Sequence, residues 1–224
     1  MIQVDEWKYN IVFKLDIETK TGLHIGGSNE EMKIGGTDNP VITTEYNYKG
    51  EFIELAYLPG SSIKGKMRSL LEAVSPPEDK EIIDKMFGFR SGNKELEDRR
   101  TRLIIRDAFL SEDDIEKYQN NELRLTEIKG ENYIDPITSM ATPRFIERVL
   151  PGIHFTTNII IMKYENDNEN DMKRILNEGI KLLEDSYLGG NGTRGYGVVS
   201  LRLEEIQVKH RDYYEGNENG SVQD

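Results

Sequence analysis

The residues able to do chemistry are few and unevenly placed. The stretch IGGTDNP, residues 34–40, sets one acid, Asp38, among glycine, threonine, asparagine and proline. Such a run cannot be a helix and is a poor strand, so a lone carboxylate stands on an irregular loop. A bland role is open to it, because aspartate commonly bonds its own backbone in turns. PGSSIKGKMR, residues 59–68, opens a helix, whose free N–H groups and positive dipole end suit an anion. Lys64 and Arg68 are four apart and share a face, with Lys66 to one side; the alternative is a capped amphipathic helix with a solvated basic face. It is not the nucleotide P-loop, which needs glycine-x4-glycine-lysine followed by serine or threonine. LGGNGTRGYG carries five glycines within residues 189–197, with Arg194 among them, which lets backbone approach a ligand closely. RGYGVVSL also meets most of the RNP1 signature, but Val198 and Leu201 stand where aromatics would stack on bases. It reads as a glycine loop tracking a phosphate backbone, against a plain hairpin or helix stop with an exposed arginine. His24, in TGLHIGGS, lies beside a strand end, where histidine is usually structural. Asp167, Glu169, Asp171 and Glu178 have EF-hand spacing, but Met172 occupies the position that must be glycine, so calcium is set aside.

The elements that position these residues follow from periodicity. WKYNIVFKLDIETKT alternates, with Ile11, Phe13, Leu15 and Ile17 on one face, and predicts a half-buried strand. EFIELAYLPG predicts a short strand stopped by Pro59-Gly60. In SSIKGKMRSLLEAV, Ile63, Met67, Leu70, Leu71 and Val74 form one helical face, with Ser61 or Ser62 as N-cap. PPEDKEIIDKMFG predicts a second short helix, TRLIIRDAFL a strand and SEDDIEKYQ a short capped helix. Residues 121–152 are polar and carry Pro136, Pro143 and Pro151, as an insertion or extended hairpin would. GIHFTTNIIIMKY predicts a strand. DMKRILNEGIKLLEDSYLGG predicts a helix with Met172, Ile175, Leu176, Ile180 and Leu183 on one face, ended by Gly189-Gly190. YGVVSLRLEEIQV predicts the last strand. Without its insertions the order is strand, helix, strand, strand, helix, strand: an α+β ferredoxin-like sandwich, with an antiparallel sheet and two helices on one face.

Composition bounds the function. The 224 residues suffice for a core, and there are no cysteines, which excludes disulfides, thiolate catalysis and cysteine-based zinc sites. The three histidines are scattered, so a histidine-only metal site is not expected. No apolar run reaches transmembrane length, and the opening residues lack a secretory pattern, so cytoplasm is the expected location. A net charge of −12 argues against a stand-alone basic nucleic-acid binder. The charge is unevenly spread, however. Acids gather in YENDNEND (164–171) and in the tail from Glu204, where EGNENGSVQD reads as disordered, while bases gather in IKGKMRS and EDRRTRLIIRD.

Six spaced motifs, TGLHIGGS, GTDNP, PGSSIKGKMRSLL, RLIIRDAFLS, ENYIDPIT…TPRFIER and LLEDSYLGGNGTRGYG, together resemble the RAMP-superfamily backbone subunits of type III-A CRISPR (Csm) effector complexes. The likeness runs from about residue 9 to 200, and not through 43–56, 164–171 or the tail. It implies one modified ferredoxin-like/RRM domain over 1–224, with insertions at about 22–56 (glycine-rich loop), 76–100 (lid) and 121–152 (thumb), and a disordered acidic tail from 212 to 224. It implies copies stacked in a filament along a guide RNA with other type III-A subunits. The thumb would wedge into the guide–target duplex, and single-stranded target RNA would be cut once per subunit with a divalent metal, Mg²⁺ or another such as Mn²⁺. Asp38 matches the essential acid, as catalytic group and metal holder. The implied RNA contacts are His24, Ser61, Ser62, Lys64, Lys66, Arg68, Arg144, Gly190, Gly192, Arg194 and Gly195, with Asp107, Glu127, Glu131 and Glu147 as reserve acids. Thr37 departs from the apolar residue usual before that aspartate, which leaves the acid in place. Two other readings stay open: a non-catalytic RNA scaffold, and a guide-processing endoribonuclease of the same superfamily.

Overall fold

The computed structural model describes residues 5–26, 39–89 and 100–216. Asp38 lies outside them, as do 90–99 of the expected lid and 217–224 of the expected disordered tail. In chain order the elements are β1 (Trp7–Thr19), β2 (Thr43–Tyr48), β3 (Glu51–Ala56), α1 (Gly60–Val74), α2 (Lys80–Phe87), β4 (Leu103–Ile105), β5 (Phe109–Leu110), α3 (Glu112–Gln119), β6 (Thr126–Ile134), β7 (Ala141–Val149), β8 (His154–Tyr164), α4 (Glu169–Asp185), β9 (Val199–Lys209) and α5 (Arg211–Tyr214).

The main sheet is antiparallel, in the order β4–β8–β1–β9, with β5 also on β8. This is the ferredoxin-like order. The alternation of β1 buries Ile11, Phe13, Leu15 and Ile17. Ile63, Met67 and Leu71 of α1 and Met172, Ile175, Leu176, Ile180 and Leu183 of α4 meet them in one core. Burying each such side chain contributes about 1.5–3 kcal/mol, so these faces decide the fold. α2 joins the helix layer through Ile83 and Met86.

Several boundaries differ from expectation. TRLIIRDAFL is not one strand. It breaks at Arg106-Asp107, because Ala108 leaves the sheet to pair with Leu58 and Asp107 accepts a hydrogen bond from Gly60 N at 2.8 Å. Neither Ser61 nor Ser62 caps α1, which begins a residue earlier, after Pro59. α4 begins at Glu169, capped by Asn168, and stops at Asp185, so Gly189-Gly190 do not end it. The expected loop 22–56 contains the β2–β3 hairpin, turned by Lys49-Gly50 with both φ positive, as tight hairpins require. Part of the expected disordered tail is placed: Tyr214 of α5 accepts a hydrogen bond from Asn10 at 2.7 Å and packs edge-on against Trp7.

Candidate nucleic-acid interface

β6 and β7 form a separate two-stranded sheet within residues 121–152. Opposed residues in such a pair point to the same side. Their register sets Glu127, Lys129 and Glu131 across from Arg148, Ile146 and Arg144, which makes one face charged apart from Ile146. The other face sets Ile128 across from Glu147 and Gly130 across from Phe145. Ile128, Ile134 and Phe145 are more than half exposed, and Ile137 near the tip is 91% exposed. These apolar groups take no part in the main core.

At the hairpin's root, Glu147 uses every polar group it has. Its N–H donates to Asn39 O at 3.1 Å, and its carbonyl accepts from His24 Nδ1 at 2.7 Å. Its carboxylate accepts from Val41 N at 3.0 Å and from the Thr126 hydroxyl at 2.8 Å. A carbonyl can only accept, so His24 Nδ1 carries a proton. Gly26 bridges to Val41, so the described ends of the segment containing Asp38 meet here.

The glycine-rich turn reaches the same place. Gly190 N donates to His24 O at 2.8 Å. Gly189 has φ +80°, and a Cβ there would lie 2.3 Å from that carbonyl, so only glycine fits. Lys66 arrives from α1, its ammonium 3.5 Å from the Tyr187 ring centroid. Gly192 lies against that ring, where a Cβ would come within 1.9 Å. Arg194 and Gly195 are exposed, and the Arg194 guanidinium is 3.7 Å from Glu131. Arg144 is exposed on the charged face of the hairpin.

The start of α1 behaves differently. Asp107 occupies the Gly60 N–H as the anion of this helix terminus. Lys64 donates to Leu103 O at 2.6 Å, and burial, with Arg68 nearby, lowers its pKa. Arg68 pairs with Glu72 at 2.8 Å and Asp84 at 3.0 Å. The basic cluster read from sequence is therefore divided: Lys66 goes to the glycine-rich turn, and Lys64 and Arg68 go to protein partners.

The reserve acids are likewise engaged. Asp107 caps α1, and Glu127 pairs with Arg148 at 2.6 Å. Glu131 accepts from the Tyr196 hydroxyl at 2.7 Å and pairs with Lys129 at 3.0 Å. Those two donors hold the Glu131 carboxyl below its usual range. Asp167, from the EF-hand-like spacing, accepts from Arg102 at 2.9 Å and from Tyr164 N at 3.0 Å. Among the described residues no three histidine, aspartate or glutamate side chains gather to hold a metal.

A family model of the RAMP superfamily matches residues 16–200. The chain belongs to the RAMP superfamily. Within it, the chain is 39% identical to the CRISPR system Cms endoribonuclease Csm3 of Methanothermobacter thermautotrophicus, over 95% of this chain and 92% of that protein. It is 41% identical to the Csm3 of Streptococcus thermophilus, over 85% and 86%. A crystal structure of a Csm3–Csm4 subcomplex of the type III-A CRISPR-Cas interference complex superposes with a TM-score of 0.55 at 29% identity, covering 96% of this chain and 87% of that one.

Sequence reasoning missed what Glu147, Tyr187 and Tyr196 do in this RAMP chain. A signal for the hairpin was present: in TEIKGENYI the charges fall at alternate positions, Glu127, Lys129 and Glu131, the period of a strand. No local pattern shows that Tyr196 or Asp107 would meet a partner more than 40 residues away.

Proposed function

We propose that this chain is a backbone subunit of an RNA-guided type III-A CRISPR effector, working in the cytoplasm. It binds guide RNA along a filament of its own copies and cuts target RNA once per subunit. One observation carries this reading: identity near 40% to Csm3 endoribonucleases over almost the whole chain. The geometry is consistent with it. Arg194, Lys66, His24 and the glycine-rich turn cluster at the root of a projecting hairpin, where a phosphate backbone could pass. The hairpin's exposed Ile137, Met140 and Phe145 suit a wedge between bases.

RNA carries its own nucleophile, the 2′-hydroxyl beside the scissile phosphate. Cutting needs that hydroxyl in line, its proton removed and the leaving 5′-oxygen stabilised. A base displaced by the hairpin frees the sugar to reach this geometry, so positioning supplies much of the rate. The products are a 2′,3′-cyclic phosphate and a 5′-hydroxyl. Asp38 is the acid assigned to this step, as general base or as metal holder. Its loop re-enters the described structure at Asn39, fixed at the hairpin root by Glu147. The other nearby acids already serve protein donors, so Mg²⁺ or Mn²⁺ would draw on Asp38 and on substrate phosphate oxygens; magnesium commonly takes only one or two carboxylates. Bound there, the ion would supply stabilisation of charge on the phosphoryl oxygens.

The test is the assembled complex with guide and labelled target, with Mg²⁺ and with EDTA. Regularly spaced cuts that EDTA abolishes are expected. Target binding without cuts would contradict the nuclease reading, and cutting that survives EDTA would contradict the metal.

A further inference from the structure

The geometry points to Tyr196 as a positioning residue that fixes the direction of the β6–β7 hairpin through its hydrogen bond to Glu131. This rests on the reading that the hairpin spaces the cuts in target RNA.

A two-stranded hairpin is marginal by itself in water, and this one is held to the body at its root. There Leu125, Ile146 and Val149 are buried, Leu23 bridges to Val149, and Glu147 makes the bonds already described. A root alone leaves an arm free to swing. Glu131 lies two residues beyond Lys129, the strand partner of buried Ile146, roughly 7 Å farther along the strand than the root. At that distance its carboxylate accepts from the Tyr196 hydroxyl at 2.7 Å. Two separate attachments, one at the root and one beyond it, fix a direction.

Tyr196 is suited to this part. It is completely buried, and its neighbours hold it to the body: Gly197 N donates to Gly22 O at 3.0 Å, and Leu188 N donates to Gly197 O at 2.8 Å. The Lys129 ammonium and the Arg148 guanidinium, both from the hairpin, lie 4.6 and 4.9 Å from its ring centroid. The other link at this level, Arg194 to Glu131, is 3.7 Å long and mostly exposed, so it is the weaker one. Tyr196 sits inside the glycine-rich turn, two residues after Arg194. The same bond therefore ties the hairpin to the turn read as following the RNA backbone.

Three variants test the inference. Tyr196→Phe keeps the ring and removes only the hydroxyl, Glu131→Ala removes the acceptor, and Glu131→Gln keeps an acceptor oxygen. The first readout is amide hydrogen exchange on the full chain. Tyr196→Phe and Glu131→Ala should each speed exchange across residues 130–146 by about tenfold or more, with β1 and β8 unchanged. Glu131→Gln should stay near wild type, and the double variant Tyr196→Phe/Glu131→Ala should exchange no faster than either single one. Wild-type exchange in Tyr196→Phe would overturn the proposal, as would Glu131→Gln behaving like Glu131→Ala. The second readout is the cutting pattern of the assembled complex, which should spread to neighbouring positions in Tyr196→Phe. Faster exchange with an unchanged pattern would leave the attachment standing and overturn the hairpin's part in spacing the cuts.

Discussion

The start of α1 and the turn at 187–197 both join glycine, backbone N–H groups and a basic side chain, yet only the turn presents its arginine to solvent. At α1 the helix lies on the sheet, so its donors are matched from within. Asp107 takes the Gly60 N–H, Leu103 O takes Lys64, and Glu72 and Asp84 take Arg68. At 187–197 the chain has left α4 and not yet entered β9. Its glycines lie against His24 and Tyr187, and Arg194 projects. A basic motif is available to a ligand only where packing leaves its donors unmatched, and packing is a property of the neighbours.

The largest expected effect tests that contrast on RNA. Replacing Lys66 and Arg194 together by alanine should weaken binding about tenfold to a hundredfold, equally for all sequences. The slope of log affinity against log salt should fall by roughly 1.4 units, two contacts at about 0.7 each. Replacing Lys64 and Arg68 together should move that slope by less than about half as much. Salt-series anisotropy with a labelled guide measures both, and the reverse ranking would break the comparison.

A smaller effect is expected on stability. Asp107→Ala removes the carboxylate that serves α1 and should cost about 1–2 kcal/mol in urea unfolding, while guide affinity changes less than about twofold. Asp107→Asn keeps an acceptor and should cost less than half of that. An affinity loss that exceeds the stability loss would put Asp107 at the RNA instead.

The smallest effect concerns pH. The Tyr196 hydroxyl and Lys129 lower the Glu131 carboxyl from its ordinary 4.5. A depressed folded value contributes stability that is complete above the ordinary one and lost as pH falls through the folded one. Protection of hairpin amides should therefore be flat from about pH 7 to 5 and decline below about 4.5 by much less than in Tyr196→Phe, because protonated Glu131, like Glu131→Gln, keeps an acceptor oxygen. A decline between about pH 7 and 5 would assign the titration to a group other than Glu131.

Much of the fold was legible in the sequence, for a physical reason. β1, α1, β8 and α4 each carry an apolar face at their own period, and burying those faces fixes the order β4–β8–β1–β9. Boundaries were less legible because distant residues set them: Asp107 starts α1 and interrupts its own strand, and β2 forms only because Lys49-Gly50 turns it onto β3. The site was legible in composition and not in allegiance. His24, Lys66, Gly190, Gly192, Arg194 and Gly195 do come together. Lys64 and Arg68 have protein partners that no spacing rule reveals, and the acids held in reserve proved to be a cap, two hairpin links and the root clamp.

Those engaged acids leave Asp38 as the carboxylate on which the proposed chemistry depends, and one substitution tests it most directly. Asp38→Asn is nearly isosteric, and asparagine can replace most turn hydrogen bonds, so folding, assembly and target binding should stay close to wild type. Asparagine is a much weaker base and a poorer Mg²⁺ ligand, so either role is lost; general base catalysis alone supplies about 10²–10⁴-fold. The measurement is a cleavage time course of the assembled complex beside a gel shift with the same target. The account predicts an unchanged shift with cutting slowed at least about a hundredfold. Wild-type cutting with an unchanged shift would contradict it and leave Asp38 a turn residue.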